Sequence, residues 1–430
     1  MERRSAARLG ISVLAAVLVA ACSAAPPPGS PTPAPPTIDP GGEVALAAAD
    51  RLAVTPQDAE AAAAAVNAFG LDLYREVATG TENVVVSPAS VALALAMARA
   101  GARGETAEQM DAVLRRFGSD AVAAWPAALD EALAGRSGTY PDPGGTPREI
   151  LLRIANAPFG QRGMPLEPAF LEALASRFGA GLRLVDYIGA TEDARVSINA
   201  WVDEQTQERI PELLAPGTIT PETRLTLVNA IYLKAPWETP FSVEATSAAP
   251  FTRPDGSVVE VPTMAAGGSL RHAAGDDWTA VEIPYLGGQL AMTVIVPDDL
   301  AAFEASLSDD GFAAVVAALA ERPVELFLPR FGIETKASLA DALAALGMPA
   351  AFDPDLADFS GITAAEALVI DDVIHQANID VDEKGTEAAA ATAVVMRAGS
   401  AAPDQPVTVR VDRPFLFALR DVPTGAVLFL

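Results

Sequence analysis

Apolar residues recur every three to four positions from Glu60 to Val77. Val66, Phe69, Leu73 and Val77 share one face, and this period predicts an amphipathic helix. Val84–Val86 reads as a short buried strand, stopped by Ser87-Pro88. Ser90–Ala100 predicts a helix with Ser90 in its first turn, and Ala194–Gln207 another. Leu225–Leu233 is almost continuously apolar, as expected of a strand covered on both faces. Val281–Val296 divides into two strands around Gly287-Gly288. Val324–Leu328 predicts a strand, Lys336–Leu346 a helix, and Phe415–Leu419 with Ala426–Leu430 two buried strands. Helices concentrate early and strands late, with much interleaving. That order predicts a single α+β domain built on large sheets, with about eight or nine helices, over residues 57–430. Ser137–Pro147 reads as a surface insertion rather than a linker, and no repeat period is evident.

The first 21 residues follow a different logic. Arg3, Arg4 and Arg8 precede an apolar run from Leu9 to Ala21, shorter than the roughly 20 apolar residues a membrane helix needs. This is the pattern of a secretory signal. It ends in Val19-Ala20-Ala21-Cys22, which resembles a bacterial lipoprotein cleavage box. The expectation is cleavage before Cys22 and acylation of that residue; the alternative is an ordinary signal with an incidental cysteine. Prolines recur through Pro26-Pro27-Pro28, Pro31, Pro33, Pro35-Pro36 and Pro40, so residues 22–56 are expected to be an extended tether from a membrane lipid to the domain. The expected location is extracytoplasmic, lipid-anchored or secreted.

Composition narrows the chemistry. Among 430 residues, 29 Lys and Arg face 56 Asp and Glu, a net charge of −27, which disfavours nucleic acid and anionic headgroups as partners. The single cysteine excludes an internal disulfide or a cysteine-held metal. Two histidines, His272 and His375, make a multi-histidine metal site improbable, and no cofactor is expected. Metalloprotease, phosphate-loop, nucleophile-elbow and dinucleotide fingerprints are all missing. His375 with Ser87 or Ser90 is a conceivable triad fragment; a buried structural histidine bonded to hydroxyls is the simpler reading. Asp353, Asp355, Asp358 and Asp371-Asp372 do not have the spacing of a calcium loop and read as solvated turns.

Residues 380–417 carry the strongest signal. Val381-Asp382-Glu383-Lys384-Gly385-Thr386-Glu387 leads into Ala388–Ala391 and then Thr392-Ala393-Val394-Val395-Met396. Alanine alone argues for helix. Gly385 weakens the start of such a helix, and the β-branched end prefers a strand. As a strand, Thr386, Ala388, Ala390, Thr392, Val394 and Met396 would face one side. No proline follows Gly385 until Pro403, so the segment is competent to enter the middle of a sheet.

This pattern closely resembles the hinge and reactive loop of the serpins. Asn83-Val84-Val85-Val86-Ser87-Pro88, Gly101-Ala102-Arg103-Gly104-Glu105-Thr106, Ile198-Asn199-Ala200-Trp201-Val202, Leu227–Lys234 with Trp237 and Phe241, Val373–Ala377 and Arg413-Pro414-Phe415-Leu416-Phe417 follow the family's order. The resemblance implies an inhibitor rather than an enzyme. A serine or cysteine protease would cut an exposed loop at about residues 383–406, form an acyl-enzyme, and be trapped as the loop inserts into the central sheet. It also implies roles. Glu383, Gly385, Thr386, Ala388, Ala390 and Thr392 would form the hinge. Ser87, Ser90, Asn199 and His375 would form a hydrogen-bonded shutter, and Trp237 would mark where the loop enters. Family spacing puts the scissile bond at Gly399-Ser400, with Ala398 or Arg397 as alternatives. The expected partners are elastase-, subtilisin- or trypsin-like proteases, met by a monomer. A non-inhibitory serpin-fold carrier is the alternative. Two departures are expected to matter: Leu430 falls inside what should be the last buried strand, which therefore looks truncated, and Pro158 must sit at an edge or irregularity.

Overall fold

The computed structural model describes residues 43–386 and 405–430. The signal segment, Cys22, Ala388, Ala390, Thr392, Arg397, Ala398, Gly399 and Ser400 lie outside the described residues.

The order of elements begins β1 (Glu43–Ala45), α1 (Pro56–Val77), α2 (Pro88–Gly101), α3 (Gly104–Val113) and α4 (Ala124–Ala134). Then follow β2 (Gly138–Pro141), β3 (Pro147–Gln161), α5 (Pro168–Ala173), β4 (Leu182–Val185), α6 (Thr191–Gln205) and β5 (Leu225–Pro236). The middle of the chain is nearly all strand: β6 (Ser247–Thr252), β7 (Val258–Ala274), β8 (Trp278–Pro284) and β9 (Leu290–Pro297). After α7 (Leu300–Ser306) and α8 (Asp309–Ala318) come β10 (Ala320–Pro329), β11 (Phe331–Ser338) and α9 (Ala340–Leu346). The last strands are β12 (Val373–Asp382), β13 (Gly385–Thr386), β14 (Val407–Arg410), β15 (Leu416–Asp421) and β16 (Val427–Phe429). The α+β expectation holds, with nine α-helices among the described residues.

Two eight-stranded mixed sheets organise the domain. The first runs β1-β4-β3-β5-β13-β12-β11, with β2 on β3; the second runs β14-β10-β7-β8-β9-β15-β16, with β6 on β7. The apolar run of β5 is explained by its position. Leu227, Ile231 and Leu233 join the main core with α1 and α2, while Val228 and Ala230 pack on the other face with Ile198 and Trp201 of α6. Alternate residues of one strand therefore serve two cores. Helix α2 is buried at every position, which is why its sequence is small and apolar all round.

Several expectations are corrected. Lys336 lies in β11 rather than in a helix; Phe331–Ser338 alternates half-buried and exposed, a strand signature, and the helix begins only at Ala340. Ser137–Pro147 is not a plain loop, because β2 pairs with the start of β3. Val84–Val86 forms no named strand. Val86 instead exchanges both backbone hydrogen bonds with Leu430, at 2.9 Å each. The expected tether already joins the domain before residue 56: Glu43–Ala45 pairs with β4, and Arg51 bonds Asp130 at 2.8 Å. Pro158 sits at an edge, as expected: β4 flanks β3 only from Phe159 onward, so among the described residues one side of Pro158 carries no strand.

Candidate functional site

The site is built where β5 and β12 diverge. They pair in parallel from Leu227↔Val373 to Ile231↔Ala377. Higher up, the two-residue strand β13 lies between them, with Thr386 opposite both Val381 and Ala235. Between these stretches, residues 232–234 of β5 and 378–380 of β12 face one another with no strand pairing among the described residues. The sheet is thus joined below, closed above by β13, and unpaired in the middle.

Gly385 lets β13 lie this close to β5. Its φ is +147°, and a Cβ there would lie 2.1 Å from the carbonyl oxygen of Ala235. Only glycine fits so close to a neighbouring backbone. The Asp382 carboxylate accepts from the backbone N–H of Lys384 at 2.7 Å and of Gly385 at 3.3 Å, which shapes the turn. Thr386 is 1% exposed, and its hydroxyl meets that of Tyr285 at 2.6 Å. Burial raises the pKa of Tyr285, so this phenol stays protonated and available to hydrogen-bond.

Trp237 lies beside the turn that leads into β13. Its ring stacks on Tyr285 at 4.4 Å between centroids, and its indole N–H donates to the Asp382 carbonyl at 2.9 Å. The Trp237 backbone N–H donates to the Lys384 carbonyl, and that of Phe241 to Glu383, so the turn before β13 is tied to the segment after β5. The Glu383 carboxylate is buried. It accepts from Arg330 Nε at 2.7 Å, again from the Arg330 terminal nitrogen, and from Thr246 Oγ1 at 2.5 Å. Burial pushes its pKa up, but the bonds from Arg330 and Thr246 outweigh that and hold it below the usual range.

Beneath the joined part of the sheet, His375 is fully buried. Its Nε2 accepts the backbone N–H of Ser87 at 3.1 Å, and its Nδ1 lies 2.5 Å from Asn229 Oδ1. Asn229 Nδ2 donates to Ser90 Oγ at 2.6 Å and to Asn156 Oδ1 at 2.8 Å, so its Oδ1 is left to accept from His375. Both ring nitrogens are committed in the neutral form, and burial lowers the pKa of His375 to about 4. Ser87 Oγ caps α2 by accepting from the N–H of Ser90. Among the described residues, His375 Nε2 receives the backbone N–H of Ser87 where a triad would need a serine Oγ.

Asn199 does not belong to this cluster. It sits in α6, on the opposite face of the sheet, and clips Leu214 through 2.9 Å and 2.8 Å bonds to backbone oxygen and nitrogen. Asn229 of β5 and Asn156 of β3 occupy the place expected for it. Both were findable. An asparagine inside the apolar run Leu227–Leu233 has to meet polar partners, because an unbonded buried amide is costly.

The family model described as "Serpin (serine protease inhibitor)" matches residues 64–430. The chain belongs to the serpin family. An uncharacterised serpin-like protein of Thermococcus kodakarensis is 38% identical over 85% of this chain and 84% of its own length. The leukocyte elastase inhibitor of Bos taurus is 35% identical over 86% of this chain and 98% of its own. Among solved structures, the thermophilic serpin Tengpin in its native state matches with a TM-score of 0.76 and 26% identity, covering 89% of this chain and 94% of that one. In this serpin, among the described residues, the middle of the sheet carrying β5 and β12 is unpaired between those two strands, and Gly385 and Thr386 lie within that sheet.

Proposed function

We propose that this serpin inhibits serine or cysteine proteases as a suicide substrate, by cleavage of the loop after Thr386 and its insertion between β5 and β12. The observation that carries this reading is the seating of β13 between those strands, directly above their unpaired stretch. The segment after Thr386 is proline-free as far as Ala402 and, beyond Glu387, all alanine from Ala388 to Ala391, so it is suited to continue the same strand downward. Each added strand hydrogen bond nets about 1 kcal/mol, so a dozen would supply on the order of 10 kcal/mol. That is comparable with the stability of a whole domain. Relatives named as elastase inhibitors support a protease as partner. Gly399-Ser400 is the proposed scissile bond, which favours elastase- or subtilisin-like enzymes, with Arg397 as the alternative for a trypsin-like acidic pocket. Acylation at Cys22 would hold the inhibitor outside the cytoplasm at a membrane surface.

The test mixes the purified domain with trypsin-, elastase- and subtilisin-like proteases. A denaturant-resistant covalent band, with the mass of the released C-terminal peptide, establishes trapping and identifies the bond. Cleavage without a complex and without thermal stabilisation would overturn the proposal and favour a carrier role. For the anchor, mass spectrometry of membrane-fraction protein is expected to find acylated Cys22 as the first residue; an unmodified soluble chain would refute it.

A further inference from the structure

A cavity of about 620 Å³ is lined by residues of both sheets, among them Arg330. It falls within the usual size of small-molecule sites, roughly 300–1,000 Å³. Its apolar wall is Phe251 of β6, Val259 and Val261 of β7, Leu300 of α7, Phe331 of β11 and Phe415 before β15. None of these six is fully buried, so apolar surface is left open inside a concave space. Phe331 meets Phe415 edge-on at 5.6 Å, forming an aromatic floor.

Two cations reach the same cavity. Arg253, in the β6–β7 turn, is exposed at the mouth. Arg330, joining β10 to β11, lines the wall with a side chain 42% exposed, although two of its nitrogens hold Glu383. Two carboxylates also line the space. Glu304 is occupied by the hydroxyl of Tyr74, and Glu82 is exposed in the loop after α1. The lining charges therefore balance, and an anion would be held by the guanidiniums as local charged hydrogen-bond donors rather than by a net positive field.

We propose that this cavity binds an aromatic organic anion, and that Arg330 couples the site to the hinge. The ring system would lie on Phe331 and Phe415 while the anionic group bridges Arg253 and Arg330. Any charge offered to Arg330 from the cavity competes with Glu383. Ligand binding and the Glu383–Arg330 contact then oppose each other by the same factor in both directions. The binding measurement needs no protease, so its outcome is separate from that of the inhibitor reading.

The probe is 8-anilinonaphthalene-1-sulfonate, titrated by fluorescence into the full chain carrying Cys22→Ser, which cannot be acylated. One saturable site per chain is expected. Arg253→Glu, at an exposed turn, should weaken it at least tenfold without changing the thermal midpoint. Val261→Trp, filling the cavity, should abolish it. Glu383→Gln should tighten it about threefold or more, because Arg330 is released. No saturable site, or one indifferent to Arg253→Glu and Val261→Trp, would overturn the binding proposal. An unchanged affinity in Glu383→Gln would overturn the coupling.

Discussion

Asn229 is the residue on which the buried polar cluster turns. It alone links His375, Ser90 and Asn156 through both ends of its amide. Asn229→Ala would leave several buried groups unpartnered, at a cost of about 3 kcal/mol. A denaturant midpoint lowered accordingly, against a control substitution at exposed Glu82, checks this. His375 adds a pH signature. Its charged form is disfavoured in the folded protein, so the unfolded chain binds a proton between the ordinary value of 6.5 and about 4, where the folded one does not. Stability is therefore complete above pH 6.5 and declines as pH falls toward 4, by roughly 3 kcal/mol in all. Glu383 works in the same direction at lower pH, since its depressed pKa means stability lost as its carboxylate protonates. Unfolding of His375→Gln followed across pH 7 to 4 should be flatter than that of the parent; an equally steep profile would assign the effect elsewhere.

At the scale of the element, β13 is two residues long yet pairs with both β12 and β5 above their shared stretch. Thr386 is buried against Tyr285, and that space cannot accept a guanidinium without leaving a charge desolvated. On the proposed mechanism, Thr386→Arg should leave the loop still cut by a protease while the covalent complex on a gel falls at least tenfold. Gly385→Ala places a methyl against the Ala235 carbonyl and should unseat β13. Faster hydrogen exchange at Thr386 and at its neighbours in β5 would register that; unchanged protection would show that the backbone absorbs the methyl. The short element was legible before the fold was known. Gly385 and the small residues after it announce a segment that must pass close to backbone. β11 was not legible, because Lys336–Leu346 has an apolar spacing that also satisfies a helix, and only pairing with β12 resolves the first part as strand.

For the whole molecule, the proposed mechanism treats the stretch between β5 and β12 that is unpaired among the described residues as stability not yet realised. Filling it after loop cleavage adds hydrogen bonds to a domain of some 370 residues, so the melting midpoint should rise on the order of 10 °C or more. Differential scanning calorimetry of the protein before and after limited cleavage within residues 387–404 makes the comparison. An unchanged midpoint would mean that the loop does not insert.

The family, the α+β class and the buried His375 with Ser87 and Ser90 are readable from residue order, because each depends on local chemistry: glycine where backbones crowd and polar residues inside apolar runs. Tertiary structure alone decided which face of the sheet each polar side chain meets. Asn199 and Asn229 both sit in largely apolar surroundings, and sequence cannot say that α6 and α2 cover opposite faces. Nor does spacing reveal that Arg330, far from the hinge in the chain, is the partner of Glu383. Periodicity fixes what a residue buries; only the packing of distant elements fixes against whom.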